Sequence, residues 1–184
     1  MGVANIADQL SILVKKAKKG DGEAFVKAIK LYEGVLYGVA KRLLDCDEDI
    51  ADAMQEAIMK AFENINTLQN EQYFKTWVCK ILINKCNEIL RKNKKLICVD
   101  EVLPNKVSGN EFLRIELNDA INSLNHDYKL VVILYYIVGL NTREIGNFLK
   151  EPEGTVKSRL SRARATLKKK YYSEEGCSEY GKKL

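Results

Sequence analysis

Apolar residues recur at helical spacing along nearly the whole chain, and the rhythm fails over one long stretch, from Asn93 to Asn110. A chain patterned in this way has to bury helix against helix, separately on each side of the interruption. Before it, helical pattern runs from Ile6 to Lys94, with breaks at Lys19-Gly20-Asp21-Gly22, at Asp45-Cys46-Asp47 and from Asn64 to Gln72. These breaks predict four helices. After it, the pattern predicts helices over Glu111 to Leu124, His126 to Val138, Thr142 to Lys150 and Glu153 to Tyr171. The interruption holds Pro104, Ser108 and Gly109, as a solvated connection would. The expected fold is all-α: a helical bundle over residues 1–93, a flexible linker over 94–110, a helix-turn-helix domain over 111–172 and a tail over 173–184. A chain of 184 residues is long enough for two such small cores.

Several function classes recede at once. The longest apolar run, Leu130 to Val138, falls far short of the roughly 20 residues that span a bilayer, and the first residues lack a basic-then-apolar signal. A cytoplasmic location is expected. The five cysteines, Cys46, Cys79, Cys86, Cys98 and Cys177, form no C-x-x-C pair and His126 is the only histidine, so neither a metal site nor a disulfide framework is expected. Cys79 and Cys86 fall on an apolar helical stripe, the setting of a small core residue. With no glycine-rich phosphate loop and no nucleophile-base spacing, an enzyme using its cysteines is disfavoured, and no cofactor or small-molecule substrate is expected.

The net charge of +5 is modest but unevenly spread. From Gly154 to Ser173 the chain carries Lys157, Arg159, Arg162, Arg164, Lys168, Lys169 and Lys170 without an acid. Just before this run, Asn141 and Glu144 have nearly the spacing of a capping box, so Thr142 should open a helix with Ile145, Phe148 and Leu149 on its inner face. Gly146 inside that helix costs about 1 kcal/mol relative to alanine, which a close crossing with a second helix would offset. Lys150, Glu151 and a helix-opening Pro152 supply the short turn of a helix-turn-helix. In the second helix Val156, Leu160, Ala163 and Leu167 make one narrow buried stripe. The opposite face then presents Thr155, Ser158, Ser161 and Arg162, flanked by Lys157 and Arg159. Small hydroxyls let a backbone approach the major groove, while cations reach phosphates or the acceptor edge of guanine. An ordinary solvated helix face is the blander alternative, but cap, turn, stripe and cations occur here together and in order.

The first half carries two further patterns. Asp52, Gln55 and Glu56 share one helix face, where their acceptors can converge on a basic partner, while Met54, Ile58, Ala61 and Phe62 can face the core. By spacing alone, an acidic face that meets only solvent fits equally well. Farther on, Lys80, Asn84, Asn87 and Arg91 form a straight polar stripe beside apolar Cys79, Ile83, Cys86 and Leu90.

These segments together resemble the sigma factors of bacterial RNA polymerase. Glu144-Ile145-Gly146 and the run Gly154 to Arg164 look like the region that reads the promoter -35 element. Asn125 stands where the family usually has proline and Gly146 where it usually has alanine, departures expected to loosen local packing. Asp52-Ala53-Met54-Gln55-Glu56 resembles the helix that grips the clamp of the polymerase largest subunit, and Phe74 to Asn84 with Glu88 and Arg91 resembles the -10 recognition helix. Glu88 replaces the usual aspartate. The resemblance covers roughly Glu23 to Lys170 without the intervening segments of larger sigma factors, which is the extracytoplasmic-function type.

The resemblance implies a non-catalytic subunit that binds core polymerase and promoter DNA, and that is held inactive by an anti-sigma protein, often membrane-anchored. It also implies capture of a base of the non-template strand near the -10 helix and its preceding loop, Thr67 to Tyr73, with Tyr73 the better aromatic candidate and Trp77 a core residue. Two rivals remain: a helix-turn-helix regulator that is no polymerase subunit, and the cysteine enzyme.

Overall fold

In the computed structural model residues 6–96 and 120–175 are described, and every regular element among them is helical. They belong to two compact units, one before and one after residues 97–119. Most of the expected linker, most of the helix expected from Glu111, the thiols of Cys98 and Cys177 and most of the tail lie outside the described residues.

The first unit comprises α1 (Ile6–Lys18), α2 (Gly22–Lys30), α3 (Glu33–Leu43), α4 (Asp47–Glu63) and α5 (Phe74–Leu96), with two 3₁₀ turns, Ile65–Thr67 and Glu71–Tyr73, between the last two helices. Gly20, at φ +96°, ends α1 in a left-handed conformation that suits glycine, and the Asp21 carboxylate accepts from the Ala24 amide at 2.9 Å to open α2. The expected single helix across residues 23–44 is instead two. Tyr32 donates to the Ile29 carbonyl at 2.9 Å, a tightened i→i−3 bond, and the chain turns there. The turn lets α2 lie on α1 while α3 packs on α4 and α5. Gly34 stands two residues past the break, within the first turn of α3.

The core of this unit is the inner side of α5. Phe74, Val78, Cys79, Leu82, Ile83 and Cys86 are all buried there, against Leu36, Val39 and Ala40 of α3 and Ile50, Ala53, Ala57 and Ala61 of α4. Each large apolar side chain so buried contributes about 1.5–3 kcal/mol. Four small or β-branched inward positions on α4 let it approach α5 closely. Of the α4 residues expected in the core, Ala61 is buried and Met54 and Ile58 are half-buried, but Phe62 is 48% exposed. It lies at the rim, edge-on to Phe25 with ring centroids 5.1 Å apart. Two further departures are small: α5 runs one turn into the expected linker, and the last helix runs past Tyr171.

The second unit contains α6 (His126–Ile133), a π-helical turn (Leu134–Val138), α7 (Thr142–Leu149) and α8 (Glu153–Glu175). Asn125 does not loosen the start of α6: its side chain caps the helix, accepting from the Tyr128 amide at 2.9 Å. The expected capping box is present in full. Glu144 donates its amide to Asn141 Oδ1 at 2.9 Å, and the Asn141 amide donates to Glu144 Oε2 at 2.8 Å. Val156, Leu160 and Ala163 are buried and pack α8 on α6 and α7.

Gly146 lies at a close approach of the turn to α7. A Cβ built on it would stand 2.8 Å from the Glu151 carbonyl oxygen and 3.5 Å from the Glu153 amide nitrogen. The turn closes over it with Lys150 in the left-handed region, at φ 58°, and the Glu151 amide donating to the Gly146 carbonyl at 2.9 Å. Packing at Gly146 is therefore close, not loose. Gly146→Val should destabilise the second unit by at least about 2 kcal/mol, read as a lower midpoint in thermal unfolding of the full chain.

Candidate nucleic-acid interfaces

The helix-turn-helix sorts its cations. Arg159, expected to flank the DNA-facing row, is tied inward: it lies 2.7 Å from Glu151 Oε2 through Nη1 and 3.3 Å from Asp127 Oδ2 through Nη2, with 21% of its side chain exposed. It thereby clasps the turn and the start of α6 onto α8. Lys157 is exposed but reaches back one turn to Glu153 at 2.9 Å, and Glu153 also accepts from the Thr142 hydroxyl at 2.7 Å. Those two bonds hold the Glu153 carboxyl below its ordinary range. Arg164 is bound up as well, its Nε donating to the Tyr136 hydroxyl at 2.9 Å and its guanidinium lying over the Tyr135 and Tyr136 rings at 5.3 and 5.7 Å.

What α8 presents outward is narrower than its charge suggests. Ser158, Ser161 and Arg162 are exposed and Thr155 is half-buried at the first turn, all on the side away from Val156, Leu160 and Ala163. The Ser158 hydroxyl donates to the Thr155 carbonyl at 2.8 Å, which leaves its lone pairs outward. The hydroxyls of Thr155, Ser158 and Ser161, the Arg162 guanidinium and a helix backbone free of bulk make a surface that fits a major groove.

In the first unit Lys80, Asn84 and Arg91 are exposed and Asn87 is half-buried, so the predicted stripe does lie along one edge of α5. Arg91 Nε donates to the Asn87 carbonyl at 3.1 Å, which lays the guanidinium along the stripe. At the head of the helix Tyr73 is 60% exposed, whereas Trp77 is half-buried with its ring centroid 6.3 Å from that of Phe74. An open aromatic at the mouth of a polar row suits stacking on a base. The loop between Thr67 and Tyr73 is built of ordered pieces: Ile65 and Leu68 are buried, and Asn70 caps the second 3₁₀ turn by accepting from the Gln72 amide at 2.9 Å.

On α4 the predicted acidic face divides. Asp52 and Gln55 are exposed, but Glu56 pairs with Lys85 of α5 at 2.9 Å, and Lys85 also holds Glu88 at 3.1 Å. The hydrogen bond from Lys85 keeps the Glu56 carboxyl below its ordinary range. Asp49, one turn before Asp52, accepts from the side-chain Nδ2 of Asn93 at 2.9 Å. Sequence spacing reveals the local Lys85–Glu88 pair but not the pairing with Glu56, which is 29 positions away (85 − 56) and exists only once α4 lies on α5.

Of the described cysteines, Cys46 is exposed and donates to Glu48 Oε2 at 2.6 Å, while Cys79 and Cys86 are buried. Burial pushes both Cys79 and Cys86 up to about 12, so each stays protonated at neutral pH. No helix among the described residues is long and apolar enough to cross a membrane.

Comparison with known proteins places the chain in a family. Residues 28–96 match the pattern described as Sigma-70 region 2, and residues 114–167 match Sigma-70, region 4. ECF RNA polymerase sigma factor SigW of Bacillus subtilis (strain 168) is 31% identical over 174 residues, covering 85% of this chain and 93% of that protein. ECF RNA polymerase sigma-E factor of Haemophilus influenzae is 28% identical over 185 residues, covering 90% and 97%. Among solved structures, the sigma factor RpoE in complex with the anti-sigma factor NepR from Bartonella quintana superposes with a TM-score of 0.71 at 25% identity, covering 80% of this chain and 96% of that one. CnrH, solved in complex with the cytosolic domain of CnrY, shares the fold with a TM-score of 0.70 at 22% identity, covering 93% and 100%. With both sigma regions present in order and a relative matched along nearly its whole length, the chain belongs to the extracytoplasmic-function sigma factors of RNA polymerase.

Proposed function

We propose that the first unit docks on the clamp of the polymerase largest subunit through Asp52, Gln55 and Glu56 and captures the -10 strand, while the second grips -35 duplex through α8. The protein works in the cytoplasm as a specificity subunit and is no catalyst; nucleotide chemistry belongs to the polymerase. The observation that carries this reading is the pair of family matches, each coinciding with a helix that turns a polar row outward: Lys80, Asn84, Asn87 and Arg91 on α5, and Thr155, Ser158, Ser161 and Arg162 on α8. An amide on α5 can hydrogen-bond an exposed base edge once the strand is unpaired, and Tyr73 can stack on a base turned out of the helix, offsetting an unstacking cost of a few kcal/mol.

In this reading the cations of α8 do different work. Arg162 contacts a base and Lys157 a phosphate, while Arg159 holds the turn in place, a division supported by the exposure of Arg162 and the ion pairs of Arg159. Control by an anti-sigma protein, membrane-anchored as is common in the family, would cover these DNA-facing rows; support comes from the family relation and from the RpoE neighbour, which was solved with its anti-sigma factor. Run-off transcription with purified core enzyme over a promoter library tests the whole reading. Selective initiation is expected, and its absence with every promoter would overturn the assignment.

Three substitutions separate the roles. Arg162→Ala should weaken -35 duplex binding by about 1–3 kcal/mol with no drop in the unfolding midpoint, measured by titration at fixed salt alongside a thermal melt. Arg159→Ala should lower the stability of the second unit by about 1–2 kcal/mol, seen in the same melt. Asn84→Ala should leave -35 binding intact and impair open-complex formation, followed by permanganate reactivity of the melted strand.

A further inference from the structure

Helix α1 precedes the matched Sigma-70 region 2, which begins at residue 28, and no role has so far fallen to it. Its last turn nevertheless reaches the loop that leads into α5. Lys18 Nζ lies 3.3 Å from Glu71 Oε1, 53 positions away in sequence, and the two side chains are only 23% and 20% exposed. A pair so sheltered is screened less than an ordinary surface ion pair. The backbone amide at Glu71, and then Lys18, hold the Glu71 carboxyl below its ordinary range.

The placement of Glu71 gives the pair its meaning. Leu68 and Phe74 are buried and anchor the two ends of the segment, but residues 69, 70, 72 and 73 between them are exposed. Glu71 is the half-buried residue of that span. No side chain between Leu68 and Phe74 is fully buried, and α1, which packs on both 3₁₀ turns, adds an electrostatic tie through Lys18. Tyr73 stands two residues farther on, 60% exposed, at the entrance to the polar row of α5. A pocket that chooses among bases works only if its walls stay within about 0.5 Å of one geometry.

We infer that α1 is a brace for this loop, and that Lys18 and Glu71 are positioning residues which set discrimination among bases at the captured -10 position without touching DNA. The inference rests on the reading of the loop and α5 as the capture site. It is tested with holoenzyme assembled from core polymerase, using fork-junction fragments that carry each of the four bases at each non-template -10 position. The chains compared are wild type, Lys18→Met, Glu71→Gln and the charge-exchanged Lys18→Glu/Glu71→Lys. The single variants should narrow the preference at one position by roughly three- to tenfold, the effect of losing one sheltered polar contact, with -35 duplex affinity unchanged. The exchanged pair should restore most of the preference.

Undiminished preference in both single variants would overturn the brace, as would a uniform loss for all four bases or a loss that the exchange fails to repair. Tyr73→Ala and Asn84→Ala, run in parallel, separate the two levels. If they shift base preference while the Lys18 and Glu71 variants do not, the brace alone is wrong. If they too leave it untouched, the capture site is misplaced and the brace falls with it.

Discussion

Burial of the inner side of α5 is the constraint on which the first unit turns. Phe74, Val78, Leu82 and Ile83 point inward at helical spacing, so the neighbouring positions Lys80, Asn84 and Arg91 have only the outer edge available. The same packing places α4, whose small inward residues permit close approach, and so brings its acidic edge alongside α5. One apolar seam thus orients two polar surfaces, the one read as meeting polymerase and the one read as meeting DNA. Lys85 joins the two edges through Glu56 at 2.9 Å.

The second unit achieves a comparable result with a turn instead of a long seam. Gly146 lets the backbone of residues 151–153 lie almost against α7, and the Arg159 clasp holds that closeness from the other side. Steric allowance and electrostatic closure act on the same few residues. The orientation of α8 relative to α7, and with it the direction in which Ser158 and Arg162 project, follows from both.

Much of this was legible in the residues. The capping box, the left turn at Gly20, the buried stripe of α8 and the polar edge of α5 all follow from local spacing, because each depends on partners within a turn or two. What escaped were features that need contacts distant in sequence. The kink at Tyr32 arises from α2 and α3 choosing different neighbours, and Phe62 sits at a rim that no periodicity marks. The basic run of α8 misled most: it holds no acid along its own length, yet Asp127 and Glu151 from outside the helix engage Arg159, Glu153 just before the run pairs locally with Lys157, and two tyrosines occupy Arg164. Charge along a sequence is not charge in space.

That internal engagement has a consequence for the ionic atmosphere of the complex. A side chain already neutralised by the protein's own carboxylates displaces few condensed counterions when it nears a duplex, so it adds little to the entropy gained from their release. If α8 reads duplex as proposed, its grip should weaken with rising salt less steeply than a tally of its lysines and arginines suggests, leaving a larger share of the binding to directional contacts that ionic strength does not erode.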